Sequence, residues 1–319
     1  MLAKILKTIL LLILFSLVAA VATFFYFKHY LSEEITVPRT LYIPRGSSRH
    51  AIDAIAQKGI AVDRRDYYLV KLIGYPQAGW IDLGATRMPR SRFLYKITHA
   101  KAAQRKITLI PGETRVIFFE KLAKDLDLNA TKLDTAYRKL TDIPDGVIFA
   151  ESYQIPKGMD EQHLVDYLVS EAMKKHRRIA EKRFGKFDRK AWFGKYVTIA
   201  SIIQKEAANA AEMPKVSAVI YNRLKKGMKL QMDGTLNYGR YSHLKVTPRR
   251  IREDNSSYNT YKIPGLPPYP VCAVSMEALD AALSPAKADY LYFVRGEGNR
   301  HIFTKSYKAH LREIHRRQR

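Results

Sequence analysis

The chain has 319 residues, 47% of them hydrophobic, with 55 Lys and Arg against 30 Asp and Glu and a net charge of +25. That length and apolar content suit two domains with separate cores, and a single cysteine, Cys272, excludes an intramolecular disulfide scaffold. The charge invites a nucleic-acid partner, but the basic residues are spread along the whole chain and no zinc-finger, RNP or KH signature occurs, so none is expected; such a surface suits anionic headgroups or a carboxylate-bearing polymer.

In chain order, the first element is a hydrophobic run. Lys4 and Lys7 precede twenty uncharged residues, 8–27, followed by Lys28 and His29. Twenty residues at about 1.5 Å each cross about 30 Å of hydrocarbon. Ala20 and Ala22 also form the small-residue pattern of a cleaved signal peptide. The run is longer than a signal h-region and ends in Phe24, Phe25, Tyr26 and Phe27, an aromatic interface belt, which favours an uncleaved anchor. Residues 1–7 are then cytoplasmic and everything after Lys28 lies outside.

A local pattern follows three times, at 41–59, 107–124 and 153–172: an apolar strand, Ile-Pro, a short turn and an amphipathic helix. Proline stops each strand, and Ser48, Thr114 and Asp160 are placed to cap the helices. A further helix is expected at 64–73 and a strand-to-helix passage at 91–101. These give a first ectodomain region, 28–145, of mixed α and β. The second region, 146–319, opens with a strand and a long helix reaching about Phe184. A helix carrying Glu206 and another over 215–226, with Pro214 at its start and Gly227 past its end, come next. Residues 231–270 are polar and aperiodic, as functional loops are. Met276–Leu283 reads as a helix, and 290–295 with 301–304 as a hairpin across Gly296-Glu297-Gly298-Asn299. The fold class is therefore α+β behind an N-terminal transmembrane helix.

Glu206 is the acidic residue whose position is chemical. At 100° per residue it shares a helix face with Ile199, Ile202 and Ile203, while Lys205 points elsewhere. Desolvation there raises a carboxyl pKa towards neutrality, as a general acid requires; a structural pairing with a distant Arg is the alternative. Ser284-Pro285-Ala286-Lys287 matches the S-x-x-K of penicillin-binding proteins, but no K-T-G occurs. No H-E-x-x-H, Walker A or G-x-S-x-G is present, so no metal is expected. Asn222, Gln231, Asp233, Thr235, Asn259 and Thr260 supply hydrogen bonds suited to hydroxyls and acetamides, and Tyr238, Tyr258, Tyr261 and Tyr269 could stack on sugars. Tyr-rich loops of this kind also serve as packing surface.

The blocks IASIIQKEAANAAEMPKVSAVIYNRLKKGMKLQMDGTLNYG, YNTYKIPGLPP and YLYFV with HIF resemble the YceG-like, or MltG, family of membrane-bound endolytic murein transglycosylases. The resemblance covers most of the chain and implies a LysM-like first region before a catalytic one. The family pattern A-S-I-[VI]-x-K-E falls on residues 200–206 and implies Glu206 as the catalytic acid. N-R-L, L-Q-x-D-x-T and Y-N-T-Y fall on Asn222, then Gln231, Asp233 and Thr235, then Tyr258, Asn259 and Tyr261, the implied substrate-binding set. Three departures stand out: Gly234 replaces the usual Pro, Gln204 a frequent Glu, and DGVIFAESY at 145–153 the usual E-G-[FW]-L-x-P-[DE]-T-Y. The resemblance implies a cofactor-independent lyase in the bacterial inner membrane, its catalytic domain periplasmic. It would cleave MurNAc–GlcNAc β-1,4 bonds within nascent strands to leave 1,6-anhydroMurNAc ends, ending strand elongation, with peptidoglycan strands and peptidoglycan synthases as partners. The alternative is a non-catalytic peptidoglycan-binding envelope protein.

Overall fold

The structure is a computed structural model that describes residues 2–99 and 104–317. Two compact units emerge: Met1–Arg105 with Gln154–Met159, and Lys106–Tyr153 with Asp160–Arg319. Residues 106–145 thus fold with the part of the chain that carries Glu206.

The first unit comprises α1 (Leu2–Ser32), β1 (Glu34–Thr36), β2 (Thr40–Ile43), α2 (Ser48–Ala56), α3 (Arg64–Ile73), β3 (Gly79–Asp82), β4 (Arg87–Pro89) and α4 (Arg90–His99). Within α1, Leu6–Ser32 is long and apolar enough to cross a membrane, with a mean hydropathy of 2.7. Leu10, Phe15 and the other large apolar side chains of its first five turns are exposed. The helix outruns the expected 8–27 because its last turn has partners in the unit. Tyr30 is 2% exposed and donates its hydroxyl to Asp66 Oδ2 at 2.9 Å. The Arg65 and Arg90 guanidinium groups lie 4.0 and 4.1 Å from its ring. β1 pairs antiparallel with β4 and β2 with β3, which sets Leu41 opposite Ile81. Alternation buries Leu41 and Ile43 against Ile55, Val70, Leu83, Phe93 and Ile97.

Two local expectations are corrected here. The residue capping α2 is Ser47, whose hydroxyl accepts from the His50 N–H; the Ser48 hydroxyl is buried without a partner. Residues 90–99 are helical throughout, the strand lying before them at β4, because Pro89 suits a strand end and a helix start. Residue 101 lies outside the described residues.

From there the chain runs through β5 (Gln104–Thr108), α5 (Arg115–Leu126), α6 (Ala130–Leu140), β6 (Ser152–Pro156), α7 (Glu161–Phe184), α8 (Arg189–Ala191), α9 (Thr198–Glu206), α10 (Met213–Lys225), α11 (Pro248–Glu253), α12 (Met276–Leu283), β7 (Tyr292–Arg295), β8 (His301–Thr304) and α13 (Tyr307–Arg317). β5 pairs with β6, and β7 with β8 antiparallel as the expected hairpin. Asp160 caps α7 by accepting from the His163 N–H. Thr114 does not cap α5 with its side chain. Its hydroxyl donates to Gly239 O at 2.8 Å, and buried Asp145 takes the Arg115 N–H instead, at 2.5 Å. Residues 231–270 are irregular apart from α11 and the 3₁₀ turns Asp233–Leu236 and Gly239–Tyr241.

α9 grows directly out of a π-helical segment, Trp192–Val197, so one rod leads to Glu206. In this wider turn the Phe193 carbonyl accepts both the Thr198 N–H and the Thr198 hydroxyl, the latter at 2.7 Å. The rod's base is fixed by buried His176, which accepts from Trp192 Nε1 at 3.0 Å and donates from Nε2 to Val147 O at 2.9 Å. That imidazole is held neutral, with burial pushing its pKa down to about 3. Ile199, Ile202 and Ile203 are fully buried, and α10 and α12 pack against the same helix.

Candidate active site

Glu206 is the last residue of α9, where the helix leaves its apolar packing and the chain turns into the loop region. The residue is half-buried. Its Oε1 accepts the Gly234 N–H at 2.6 Å. Desolvation pushes the carboxyl up to about 7; the Gly234 amide and Arg223 pull it down, and neighbouring Asp233 pushes it further up. A group so poised is partly protonated near neutrality and can give and take a proton there.

The turn that supplies this amide sits close because residue 234 has no side chain. A Cβ there would fall 2.5 Å from Lys205 Cβ and 2.9 Å from Glu206 Oε1. Lys205 points away from the acid, as its helix position dictates, and donates to Ser242 Oγ at 2.9 Å. Gln204 lies on another face, where its Oε1 accepts the Ser275 N–H.

The seven residues of the implied substrate-binding set separate into two groups. Asp233 and Tyr261 stand beside Glu206, the Tyr261 hydroxyl donating to Asp233 Oδ1 at 2.7 Å. Gln231 is exposed, with φ of 51°, in the left-handed region that non-glycine residues seldom adopt. Tyr258 stacks on Tyr238, ring centroids 4.6 Å apart. These present groups at or near the surface. Asn222, Thr235 and Asn259 instead spend their polar atoms inside the fold. Asn222 Nδ2 donates to Ala288 O and Tyr290 O, and Asn259 Nδ2 to Ile251 O and Asp254 O. Thr235 is fully buried and donates to Met232 O at 2.7 Å.

Three further contributors were given no role from the sequence. Arg223, 8% exposed, donates to Leu230 O and Leu291 O and places its charge towards Glu206. Asn299, at the hairpin tip with φ of 53°, donates to Ala208 O at 3.0 Å while its own carbonyl accepts from Asn209 Nδ2 at 3.1 Å. Gly234 acts through its backbone. The glycine had a visible signal in its substitution for proline and Arg223 in its place within N-R-L; Asn299 depends on a chain segment remote in sequence. Among the described residues, no group of three or more His, Cys, Asp or Glu could hold a metal.

The site is thus a desolvated carboxylic acid at a helix end, beside Asp233 and a polar, tyrosine-rich segment. The chain belongs to the YceG-like family, whose model matches residues 41–316. It is 30% identical over 296 residues to the endolytic murein transglycosylase of Bacillus subtilis, a match covering 84% of this chain and 81% of that protein. The endolytic murein transglycosylase of Streptococcus pneumoniae R6 is 29% identical over 155 residues, 47% of this chain but 28% of that longer protein. The crystal structure of a yceG-like protein from Listeria monocytogenes shares the fold, with a TM-score of 0.54 at 24% identity, covering 88% of this chain and 99% of that one.

Proposed function

We propose that this protein is a membrane-anchored lytic transglycosylase that cuts within peptidoglycan strands, with Glu206 as its acid. The observation that carries the reading is the Glu206 carboxyl itself, held by one backbone amide and pushed up to about 7. Glycosidases that use water generally need a second carboxylate to activate it. An intramolecular transfer does not. Glu206 gives its proton to the glycosidic oxygen as the C1–O4 bond between N-acetylmuramic acid and N-acetylglucosamine breaks. The muramyl 6-hydroxyl oxygen then bonds to C1, and its proton returns to the Glu206 carboxylate. Atoms and charge balance without water or cofactor, leaving a 1,6-anhydromuramyl end and a free 4-hydroxyl.

The names borne by the relatives from B. subtilis and S. pneumoniae support this chemistry. The apolar Leu6–Ser32 helix supports an anchor. In this reading the N-terminus is cytoplasmic and the rest periplasmic, a single pass in the inner membrane, beside synthases that deliver new strands. The first unit acts as a LysM-like glycan-holding region and the second does the cutting. Gln231, Asp233, Tyr258 and Tyr261 contact the sugar, while Thr235 and Asn259 hold the loop that presents them and Asn222 holds the segment leading into β7.

Digestion of purified sacculi by the detergent-solubilised full chain tests this. Anhydromuropeptides are expected from the wild type and none from Glu206→Gln, which is close to isosteric but has no proton to give. Sacculus binding without anhydro ends in the wild type would make the protein a wall-binding one instead.

A further inference from the structure

The turn that carries the Gly234 amide is also clamped from the other side of the loop region. Gln231 N–H donates to Thr260 O at 3.1 Å, and Met232 N–H donates to Thr260 Oγ1 at 3.1 Å. Thr235 Oγ1 spends its hydrogen on Met232 O, so the Thr260 hydroxyl, 3.0 Å away, donates to Thr235. Thr260 is fully buried, and its single hydroxyl thus accepts from one end of the 232–235 turn and donates to the other. Its neighbour Asn259 ties the same segment to Ile251 O and Asp254 O. None of these groups touches the acid.

Resting on the transglycosylase reading of Glu206, we infer that Thr260 is a positioning residue for the acid: it locks the turn that aims the Gly234 N–H at Glu206 Oε1, and so fixes which carboxyl oxygen carries the proton. A backbone amide can only donate, so the oxygen it engages serves as acceptor and the acidic hydrogen sits on Oε2. A fixed donor also favours the carboxylate over the acid form. The groups facing that carboxyl are Asp233 from the turn itself, Arg223 from α10 and Tyr261 from across the loop. α12, packed on α9, buries only apolar residues, and Lys205 on the acid's own helix is occupied by Ser242. With Thr260 unlocked, those charges stay while the amide withdraws, so the acid holds its proton to higher pH.

The test is the pH–rate profile of the full-length solubilised protein releasing anhydromuropeptides, for wild type, Thr260→Val, Thr260→Ser and Gly234→Ala. Thr260→Val keeps the volume but loses the hydroxyl. Its turnover at the optimum should fall about tenfold or more, since small misplacements of reacting groups are expensive. The high-pH limb should also move up by up to about one unit, the worth of a hydrogen bond to a charged group. Thr260→Ser should restore both. Gly234→Ala should act like Thr260→Val; should its clash with Lys205 prevent folding, the Val and Ser pair decides. An unshifted limb in Thr260→Val, or failure of Thr260→Ser to restore it, overturns the inference and leaves Thr260 a packing residue. Turnover surviving in Glu206→Gln would remove the acid's role altogether, a separate failure visible in a separate variant.

Discussion

The Tyr261 phenol donates to Asp233 Oδ1 at 2.7 Å, and Asp233 immediately precedes the glycine whose amide holds Glu206. The pair is exposed, so Tyr261→Phe should cost less than about 1 kcal/mol of stability. Its effect should appear in catalysis, because a released Asp233 no longer presents a fixed carboxylate to the sugar. Asp233→Asn keeps an acceptor and should lower turnover more than affinity, whereas Asp233→Ala should lower both. Asn also removes the negative charge that helps hold the proton on Glu206, so the high-pH limb should move down. Full activity in all three variants, measured as anhydromuropeptide release and sacculus binding, would reduce Asp233 to a loop residue.

Gln231 offers a way to separate backbone strain from side-chain chemistry. At φ of 51° a glycine is at ease and an alanine is not. Gln231→Gly should therefore be more stable than Gln231→Ala by about 1 kcal/mol in chemical denaturation. Both variants lack the amide, so both should bind sacculi equally less well than wild type. Wild-type binding by either would show that the side chain does not touch the glycan.

Asp145 should shape the stability of the fold against pH. It is 5% exposed, accepts the Arg115 N–H, and burial pushes its carboxyl from 3.8 up to about 7. The folded protein then holds this proton more tightly than the unfolded chain does. The contribution to stability is fully present below 3.8, falls as pH rises, and is lost above about 7. Asn at this position keeps the acceptor and abolishes the titration. Between pH 4 and 7.5 the stability of Asp145→Asn relative to wild type should rise by roughly 4 kcal/mol. Parallel melting curves across that range would contradict the burial-driven shift.

The end of α1 belongs to two environments, and truncation should reveal it. A chain beginning at His29 loses the apolar span but keeps Tyr30, its hydroxyl on Asp66 and its ring under two guanidinium groups. It should fold, act on isolated sacculi and fail in cells, where the proposed anchor would hold the protein beside new strands. A chain beginning at Glu33 also loses Tyr30, leaving Asp66 and Arg90 around a void. It should be less stable by about 3 kcal/mol or more. Equal melting temperatures for the two would place Tyr30 outside the cooperative fold.

Much was legible in the sequence because it is local. The apolar N-terminal helix, the three strand–Ile-Pro–helix passages, the α10 boundaries and the terminal hairpin follow from hydrophobic period, proline and glycine, which act within a few positions. That Glu206 lies on the helix face of Ile199, Ile202 and Ile203 was legible for the same reason, since a helix fixes the angle between residues three and four apart. What tertiary structure alone decided is what lies opposite each group. A sequence shows that Asn222, Thr235 and Asn259 are polar, but not that backbone carbonyls and hydroxyls from elsewhere consume them. It shows Thr114 before a helix, but not that Asp145, thirty residues on, takes over the Arg115 amide. The Gly234 N–H is the clearest case. Every residue but proline carries one, and only a close approach permitted by a missing Cβ turns this one towards the acid.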